Sequence, residues 1–328
     1  MGRDDVGANA RDTDTTRGSA IRLQDAAMRY AGGYDAVRCV TTTLDAGGRY
    51  LWLGRSGSGK TALCKTICGI ETLTCGSICV DGTDMRRIRQ RDRNMAMTFG
   101  DESFAARVSV RKQWQRVLRL HGADATQIEQ RIDRIAQAFD LTGAIDTPYG
   151  KLNAMQRACA RVGRCCLRDV GARLLDDPFA TLDDAQRTYA YAMTAAFGAT
   201  DRATWIVATR CAADADAMRW DRIGILERGV LVQQAETLDE MLRAPRHIGV
   251  YLATGDVEDA AILRRDAQGW YMETDDGARI PAVAPIDEIY LGATVALACD
   301  TKTKQFRPHY FDAASGYRIG APQKENTI

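Results

Sequence analysis

The sequence at residues 54–61 is Gly54-Arg55-Ser56-Gly57-Ser58-Gly59-Lys60-Thr61, which matches the G-x-x-x-x-G-K-[ST] pattern of a phosphate-binding loop. The apolar run Tyr50-Leu51-Trp52-Leu53 precedes it and predicts a strand, and Ala62-Leu63-Cys64-Lys65 follows it and predicts a helix. Glycines let the backbone curl so that successive N–H groups face phosphate oxygens, and the helix start adds partial positive charge. Because strand, loop and helix agree, we favour a phosphate site over a chance glycine-rich turn.

Two residues of this loop have more specific predicted roles. Lys60 is expected to bridge the β- and γ-phosphates of a nucleoside triphosphate, and Thr61 is expected to offer its hydroxyl to Mg²⁺. Arg55 and Ser56 stand at variable positions of the motif. The loop therefore predicts binding of ATP or a close relative with Mg²⁺, but it leaves kinases, GTPases and other ATPases open.

Composition narrows the class of protein. The chain has 328 residues, 45% hydrophobic and 27% charged, which is typical of a soluble globular protein with more than one domain. Its 44 basic and 43 acidic residues nearly cancel, so no overall field favours nucleic acid, and we expect no nucleic-acid partner. No run approaches the roughly 18 apolar residues of a membrane-spanning helix.

Features typical of exported proteins are not evident in the sequence. Residues 1–18 mix acidic and basic residues without an apolar stretch, so we predict a disordered tail rather than a signal peptide, and a cytosolic protein. The ten cysteines include no Cys-x-x-Cys pair. Several fall on predicted helices, and we expect the cysteines to be reduced and buried as small apolar side chains, for example Cys64, Cys68, Cys165 and Cys166.

The periodicity of the apolar residues changes along the chain. Strand patterns come first, a helical pattern runs from Val108 to Val170, and strands resume near Arg173. In the helical part, apolar residues recur at offsets of four, three and four on one helix face, at Ile128, Ile132, Ile135 and Phe139. Strands are predicted at Ile21–Leu23, Arg49–Leu53, Ser77–Val80, Met95–Phe99, Arg173–Asp176 and Thr204–Ala208, and a hairpin at Arg222–Gln233 turns at Arg228-Gly229.

After about residue 240 the pattern becomes one of short strands and turns. Strands are predicted at Trp270–Thr274, Ile280–Val283 and Thr294–Cys299, with a turn at Asp275-Asp276-Gly277. The sequence therefore predicts an α/β domain over residues 19–240, with an inserted helical subdomain at about 101–170. A separate small β domain is predicted over residues 241–328.

Further motifs resemble those of ATP-binding-cassette (ABC) ATPases, and the match is colinear from about Ile21 to Glu240. The segment Arg173-Leu174-Leu175-Asp176-Asp177-Pro178 with Leu182-Asp183 looks like the Walker B strand and D-loop of that family. The segment Leu152-Asn153-Ala154-Met155-Gln156 lies where the family has its Leu-Ser-Gly-Gly-Gln signature. Tyr30 resembles the aromatic residue that stacks on adenine, although a strand-end aromatic that packs on its own sheet is the alternative.

The C-terminal part is similar to the tail domain of sugar and glycerol-phosphate importer ATPases. The similarity rests on its layout and on Tyr310-Phe311-Asp312 with Ser315-Gly316. The resemblance implies a P-loop NTPase domain followed by a small oligonucleotide-fold-like, β-barrel-like domain. It implies transmembrane permease subunits and a second ATPase subunit as partners, with an extracytoplasmic solute-binding protein acting indirectly. The implied location is the cytoplasmic side of the cell membrane, and the solute is left open beyond a carbohydrate, polyol or glycerol-phosphate.

The resemblance also assigns roles to single residues. Asp176 is implied as the carboxylate that holds Mg²⁺, with a buried structural aspartate as the alternative. Asn153, Ala154, Met155 and Gln156 are implied to face the nucleotide bound by the opposite subunit. Asn153 is expected to cap a helix and Ala154 is small, but Met155 places a flexible side chain where backbone approaches phosphate closely.

Three positions depart from the catalytic pattern of the family. Gly100 stands where the family has a glutamine, and the neighbouring Asp101 and Glu102 are read as solvated loop charges. Asp177 replaces the Walker B glutamate, and the loss of one methylene displaces the carboxylate by about 1 Å, which costs on the order of a hundredfold in rate. Arg210 replaces the switch histidine, since the three histidines lie elsewhere, at His121, His247 and His309. Arg210 is either a substitute cation or a surface residue.

These departures suggest a chain that binds ATP, hydrolyses it slowly and pairs with an intact ATPase subunit. Because the family sandwiches each nucleotide between two subunits, a homodimer would carry altered groups in both sites. A nucleotide-sensing regulatory pseudo-ATPase is the second hypothesis. A P-loop small-molecule kinase with its acceptor pocket in the helical insertion is the third.

Overall fold

Two sheets and five helices organise the larger part of the chain. The computed structural model describes residues 18–99 and 103–236, and the backbone of five further strands between 261 and 312. Up to residue 236 the strands are β1 (Ile21–Arg29), β2 (Asp35–Leu44), β3 (Arg49–Leu53), β4 (Cys75–Val80), β5 (Thr83–Asp84), β6 (Met95–Met97), β7 (Ala172–Asp176), β8 (Thr204–Thr209), β9 (Arg222–Glu227) and β10 (Val230–Ala235). The helices are α1 (Lys60–Cys68), α2 (Val110–Leu120), α3 (Ala125–Ala138), α4 (Ala154–Cys166) and α5 (Asp184–Thr200).

The larger sheet has six strands in the order β10-β9-β3-β8-β7-β6. Its strands pair in parallel from β9 through β3, β8 and β7 to β6, and only β10 joins antiparallel. The residues of β8 are all buried, as are four of the five residues of β3. Helix-covered parallel strands of this kind bring their carboxyl ends to one edge of the sheet, where ligands bind.

The smaller sheet has the order β2-β1-β4-β5 and is antiparallel. Its inward residues, such as Ile21 and Leu23, share one apolar cluster with Leu63 and Ile67 of α1 and with Ile206 of β8. This cluster fills the space between the two sheets around α1. The helix that follows the phosphate loop is therefore fixed by both sheets.

The helical insertion has its own part of the core. Ile128, Ile132 and Ile135 of α3 are buried, as is Phe139 just after it, which confirms the predicted helix face. Helix α3 begins with a capping box in which Asp124 accepts from the backbone N–H of Gln127 at 2.8 Å. Helices α2, α3 and α4 pack in one apolar cluster that extends to β3, β7 and β8.

Each strand predicted before residue 236 is present, and most have shifted ends. Strand β6 ends at Met97 rather than Phe99, whose side chain is exposed. The hairpin of β9 and β10 is confirmed, with Arg228 and Gly229 at its turn, both at positive φ. The sequence reasoning missed β2, because its run Thr41-Thr42-Thr43 weakens the apolar signal even though alternate residues of the strand are buried.

Strands β11 (Ala261–Asp266), β12 (Gly269–Thr274), β13 (Arg279–Pro281), β14 (Thr294–Ala298) and β15 (His309–Asp312) form a five-stranded antiparallel sheet. Strands β12, β13 and β14 overlap the predicted strands at 270–274, 280–283 and 294–299. The predicted tail before residue 18 and the turn at 275–277 lie outside the described residues. The domain boundaries and closure of this sheet into a barrel stay predictions.

Burial of the cysteines follows the prediction only in part. Cys64, Cys68, Cys165 and Cys166 are buried as expected, whereas Cys39 and Cys75 are exposed on the strands of the smaller sheet. Burial raises the pKa of Cys68 to about 12, which keeps its thiol protonated. In the part of the chain that the structure describes, no helix is long and apolar enough to span a bilayer.

An arginine lies inside the core behind the larger sheet. Arg173 of β7 is 1% exposed, and its guanidinium pairs with Asp201 at 2.7 Å. It also donates to the carbonyls of Cys165 and Arg168. The ring of Trp205 lies 5.7 Å from its charge. Every part of this guanidinium is thus matched by an acceptor or a ring, as a buried charge requires.

Removing that side chain should destabilise the domain. We expect Arg173→Ala to lower the free energy of unfolding by about 3–5 kcal/mol, because Asp201 and two carbonyls lose their buried partner. Urea unfolding followed by tryptophan fluorescence measures this change. The matched control is Arg116→Ala, on the exposed face of α2, for which a change within about 0.5 kcal/mol is expected. Equal effects of the two substitutions would contradict the interpretation of Arg173 as a buried charge that the core depends on.

Candidate nucleotide-binding site

The phosphate loop connects the end of β3 to the start of α1. Gly57 and Gly59 have positive φ values of 78° and 102°, which favour glycine. A Cβ on Gly59 would lie 2.2 Å from the Ala36 carbonyl, and a Cβ on Gly54 would lie 2.4 Å from Ser58 Oγ. The loop is therefore packed so closely against β2 and against itself that Gly54 and Gly59 admit no side chain.

Lys60 lies folded over this loop. Its ammonium donates to the carbonyls of Gly54 and Arg55, and the residue is 5% exposed. Burial lowers the pKa of Lys60, while the nearby Asp177 and Asp176 raise it. The hydroxyl oxygen of Ser58 is buried without a hydrogen-bond partner. The loop thus offers a cation and an unpaired hydroxyl beside its backbone N–H groups, a combination that suits phosphate oxygens.

Asp176 and Thr61 meet beside the loop. The Thr61 hydroxyl hydrogen-bonds the Asp176 carboxylate, whose Oδ1 atom is buried and has no partner. Burial raises the pKa of Asp176, and the bond from Thr61 lowers it. A hydroxyl and a buried carboxylate oxygen with spare acceptor capacity are suitable first or water-mediated ligands for Mg²⁺. The residues present therefore fit the ion that the phosphate-loop motif implies.

Asp177 joins the ends of two strands. Its backbone is in the left-handed region at φ 42°, and its N–H donates to the Ala208 carbonyl at 2.7 Å. Its Oδ1 accepts from the backbone N–H of Arg210 at 3.1 Å. The structure thus brings together Asp177 and Arg210, which the sequence analysis predicts at the glutamate and histidine positions, through the backbone of Arg210 rather than its exposed side chain.

A buried polar network holds the segment that follows β8. Asp214 Oδ2 accepts from the hydroxyls of Thr209 at 2.7 Å and Tyr191 at 2.9 Å. Arg187 donates to the Leu182 carbonyl at 2.9 Å and contacts Cys211 Sγ at 2.9 Å. The segment that carries Arg210 is therefore tied to α5 and to the Leu182-Asp183 turn. The sequence reasoning missed this network, because no motif spans partners so far apart in the chain.

Tyr30 and Tyr34 lie at the tip of the β1–β2 hairpin. Both are exposed, at 38% and 58%, and the Tyr30 N–H donates to the Tyr34 carbonyl at 3.0 Å. An ion pair between Arg29 and Asp35 closes the base of the tip. The Tyr34 hydroxyl donates to the Gly57 carbonyl at 3.3 Å, so this residue contacts the phosphate loop. Sequence reasoning singled out Tyr30 alone; the signal for Tyr34 was a second aromatic in the same turn.

The signature-like residues form the start of α4. Asn153 caps the helix by accepting from the Gln156 N–H at 2.8 Å, and the Gln156 side chain accepts from the Asn153 N–H at 3.1 Å. Asn153 therefore caps a helix as expected. Met155 packs half-buried against the apolar cluster of the helical part, as Ala154 does. No hydrogen bond among the described residues links these four to residues 54–61, and the predicted Gly100, Asp101 and Glu102 lie outside the described residues.

Comparison with known proteins identifies relatives of this region. The model of the ABC transporter family matches residues 37–180. The chain is 29% identical over 215 residues to the sn-glycerol-3-phosphate import ATP-binding protein of Cereibacter sphaeroides, a match that covers 66% of this chain and 61% of the relative. It is 26% identical to the lactose transport ATP-binding protein of Rhizobium radiobacter, over 65% of this chain and 58% of the relative. The protein of Escherichia coli O157:H7 named for sn-glycerol-3-phosphate import is 23% identical over 94% of this chain.

Solved structures show the same fold. A nucleotide-free ATP-binding cassette from an ABC transporter aligns with a TM-score of 0.58 at 16% identity, over 68% of this chain and 93% of that one. A dimeric bacterial ABC transporter cassette aligns with a TM-score of 0.59 at 17% identity, over 66% and 97% of the two chains. The family model identifies an ABC transporter domain at residues 37–180, and the solved structures show that this part of the chain has the fold of an ATP-binding cassette.

Proposed function

We propose that this chain is the ATP-binding subunit of an ABC importer for a carbohydrate, polyol or glycerol-phosphate-like solute. The observation that carries the proposal is the phosphate loop: Gly59 fits only without a side chain, and Lys60 lies beside Asp176. The names of the relatives support the solute class. In this role the chain lies on the cytoplasmic side of the cell membrane, against permease subunits that receive solute from an extracytoplasmic binding protein. The family match disfavours the kinase alternative.

ATP would be held through residues 54–61, with its adenine against the exposed ring of Tyr30. Lys60 would exchange its bonds with the Gly54 and Arg55 carbonyls for phosphate oxygens. Thr61 and Asp176 would hold Mg²⁺, directly or through its water shell. The ion, when bound, offsets the charge of the β- and γ-phosphates, and these side chains orient it.

Hydrolysis in this site is proposed to be slow. The carboxylate that remains at the glutamate position, Asp177, is shorter and already accepts the Arg210 N–H. Arg210 brings a guanidinium in place of an imidazole, and Gly100 has no side chain that orients water. Each of these changes removes or misplaces a group that would act on the γ-phosphate, so we expect ATP binding without rapid turnover.

Pairing with an intact ATPase subunit follows from the same changes. Two copies of this chain would place altered groups and an altered signature in both nucleotide sites. A partner with normal motifs would supply at least a normal signature to this chain's loop.

Affinity purification from native membranes is expected to recover permease subunits and a second ATPase, and recovery of neither would contradict the proposal.

The second candidate is a regulatory pseudo-ATPase that senses nucleotide without driving transport. The engagement of Asp177 by Arg210 favours it. Steady-state ATPase assays of the chain alone and of the assembled complex separate the two functions. In the importer, Lys60→Ala in this chain reduces transport, whereas in the regulator it alters the response to nucleotide and leaves maximal transport unchanged.

Two glycines of the loop give a matched test of ATP binding. We expect Gly59→Ala to weaken ATP binding by roughly tenfold to a hundredfold, because the added Cβ meets the Ala36 carbonyl in a strained backbone conformation. The control is Gly57→Ala, which has positive φ but no atom within 4 Å of the added Cβ, so a smaller, several-fold loss is expected. Isothermal titration with ATP and Mg²⁺ measures both. Equal losses in the two variants would contradict the packing argument.

Restoring the family's residues should raise the rate of hydrolysis. We expect Asp177→Glu with Arg210→His, tested in the complex, to increase ATP turnover by about tenfold or more, because a general base and a phosphate contact return. Adding Gly100→Gln is expected to increase it further. Lys60→Ala in the same background is the control and should abolish the gain. An unchanged rate with ATP binding intact would show that these positions do not limit hydrolysis.

A further inference from the structure

A cavity lies at the edge of the larger sheet opposite to the phosphate loop. Its volume is about 370 Å³, and its wall includes Val170, two residues before β7, and Ala203, directly before β8. Both strands then run away from it, β7 to Asp176 and β8 to Thr209. With a rise of about 3.3 Å per residue, some 13 Å of strand separate the cavity from the carboxylates beside the loop. The cavity is therefore distinct from the proposed nucleotide site.

The carboxylates in the wall of this cavity already have partners. Asp201 pairs with the buried Arg173 at 2.7 Å, and it also accepts from the indole N–H of Trp205. Asp169 pairs with Arg131 at 2.7 Å. Neither carboxylate is available to neutralise a further cation without giving up its existing bond. The negative charge of the wall is therefore compensated.

The arginines in the same wall are not compensated. Arg134 and Arg202 line the cavity, and neither has an ion pair among the described residues. The half-buried Arg168 lies close by, since it directly precedes Asp169 of the wall and its carbonyl accepts from the Arg173 guanidinium at 2.9 Å. The cavity and its immediate surroundings thus hold five arginines against two aspartates, namely Arg131, Arg134, Arg168, Arg173 and Arg202 against Asp169 and Asp201.

The arrangement of Arg134 suits an anion that accepts several hydrogen bonds. Its guanidinium lies 5.7 Å above the ring of Phe197, which covers one face and leaves the N–H groups at the edge free. A planar guanidinium binds phosphate or carboxylate oxygens with two parallel hydrogen bonds.

We propose that this cavity is a binding site for a small multivalent oxyanion, a phosphate or polycarboxylate, held by Arg134 and Arg202. The proposal does not depend on ATP binding or on transport.

The test measures anion binding with the phosphate loop excluded. Isothermal titration of the full chain with citrate and with inorganic phosphate is carried out with a non-hydrolysable ATP analogue at saturation. The same titrations are repeated in Lys60→Ala without nucleotide, so that a failure of nucleotide binding does not affect the result. The test variant is Arg134→Gln with Arg202→Gln. The matched control is Arg116→Gln with Arg119→Gln, which removes two exposed arginines of α2.

We expect anion binding in the wild type and in Lys60→Ala, and a loss of affinity of about tenfold or more in the Arg134 and Arg202 variant. The control variant should bind as the wild type does, and thermal melting should confirm that both variants are folded. Absence of binding in the wild type, loss in Lys60→Ala, or equal loss in the test and control variants would overturn the proposal. Binding to phosphatidylglycerol vesicles but not to free citrate or phosphate would overturn it in favour of a lipid headgroup.

Discussion

The parallel pairing of β3, β8 and β7 is the constraint on which the candidate site depends. Leu53 pairs with Thr209 and Asp176 pairs with Ala208, so the three strands end at one edge of the sheet. The Gly54 N–H donates to the Thr209 carbonyl at 3.2 Å, and the Asp177 N–H donates to the Ala208 carbonyl at 2.7 Å, which extends the ladder past the strands. The phosphate loop and the carboxylates are thereby positioned by the packing of a buried sheet, not by local loop preferences. A substitution at a buried apolar position of these strands would disturb the site by shifting that pairing.

Asp177 has a demanding backbone conformation and also stands at a position for which we propose a role in hydrolysis. Its left-handed conformation costs on the order of 1–3 kcal/mol in a residue other than glycine, and aspartate is among the residues that tolerate it best. Its hydrogen bonds to the strand β8 and to Arg210 offset this cost. The short side chain that reaches the Arg210 N–H is the same one that falls short of the position a glutamate would occupy. The local backbone structure and the slow hydrolysis proposed above would then have one physical origin.

The sequence predicts those parts of the site that are continuous in the chain. The phosphate loop and β7 were predictable because an apolar strand leads into each motif, and because the glycines, Lys60 and Thr61 of the loop each have a local reason. Asn153 as a helix cap was predictable for the same reason, since capping involves a residue only three positions away. The contact of Tyr34 with Gly57 and the bonds of Asp214 with Tyr191 and Thr209 were not predictable, because they depend on how separate elements pack. Strand β2 was not predicted because three consecutive threonines interrupt its apolar pattern.

The buried pair of Arg173 and Asp201 constrains how this sequence can change over time. The two residues lie 28 positions apart, and replacement of either alone leaves an unpaired charge in the interior. Descendants are therefore expected to keep both or to exchange both for uncharged residues in close succession, with few lineages carrying one without the other. Two positions 28 residues apart are thus expected to change together, because each side chain sets what the other can be.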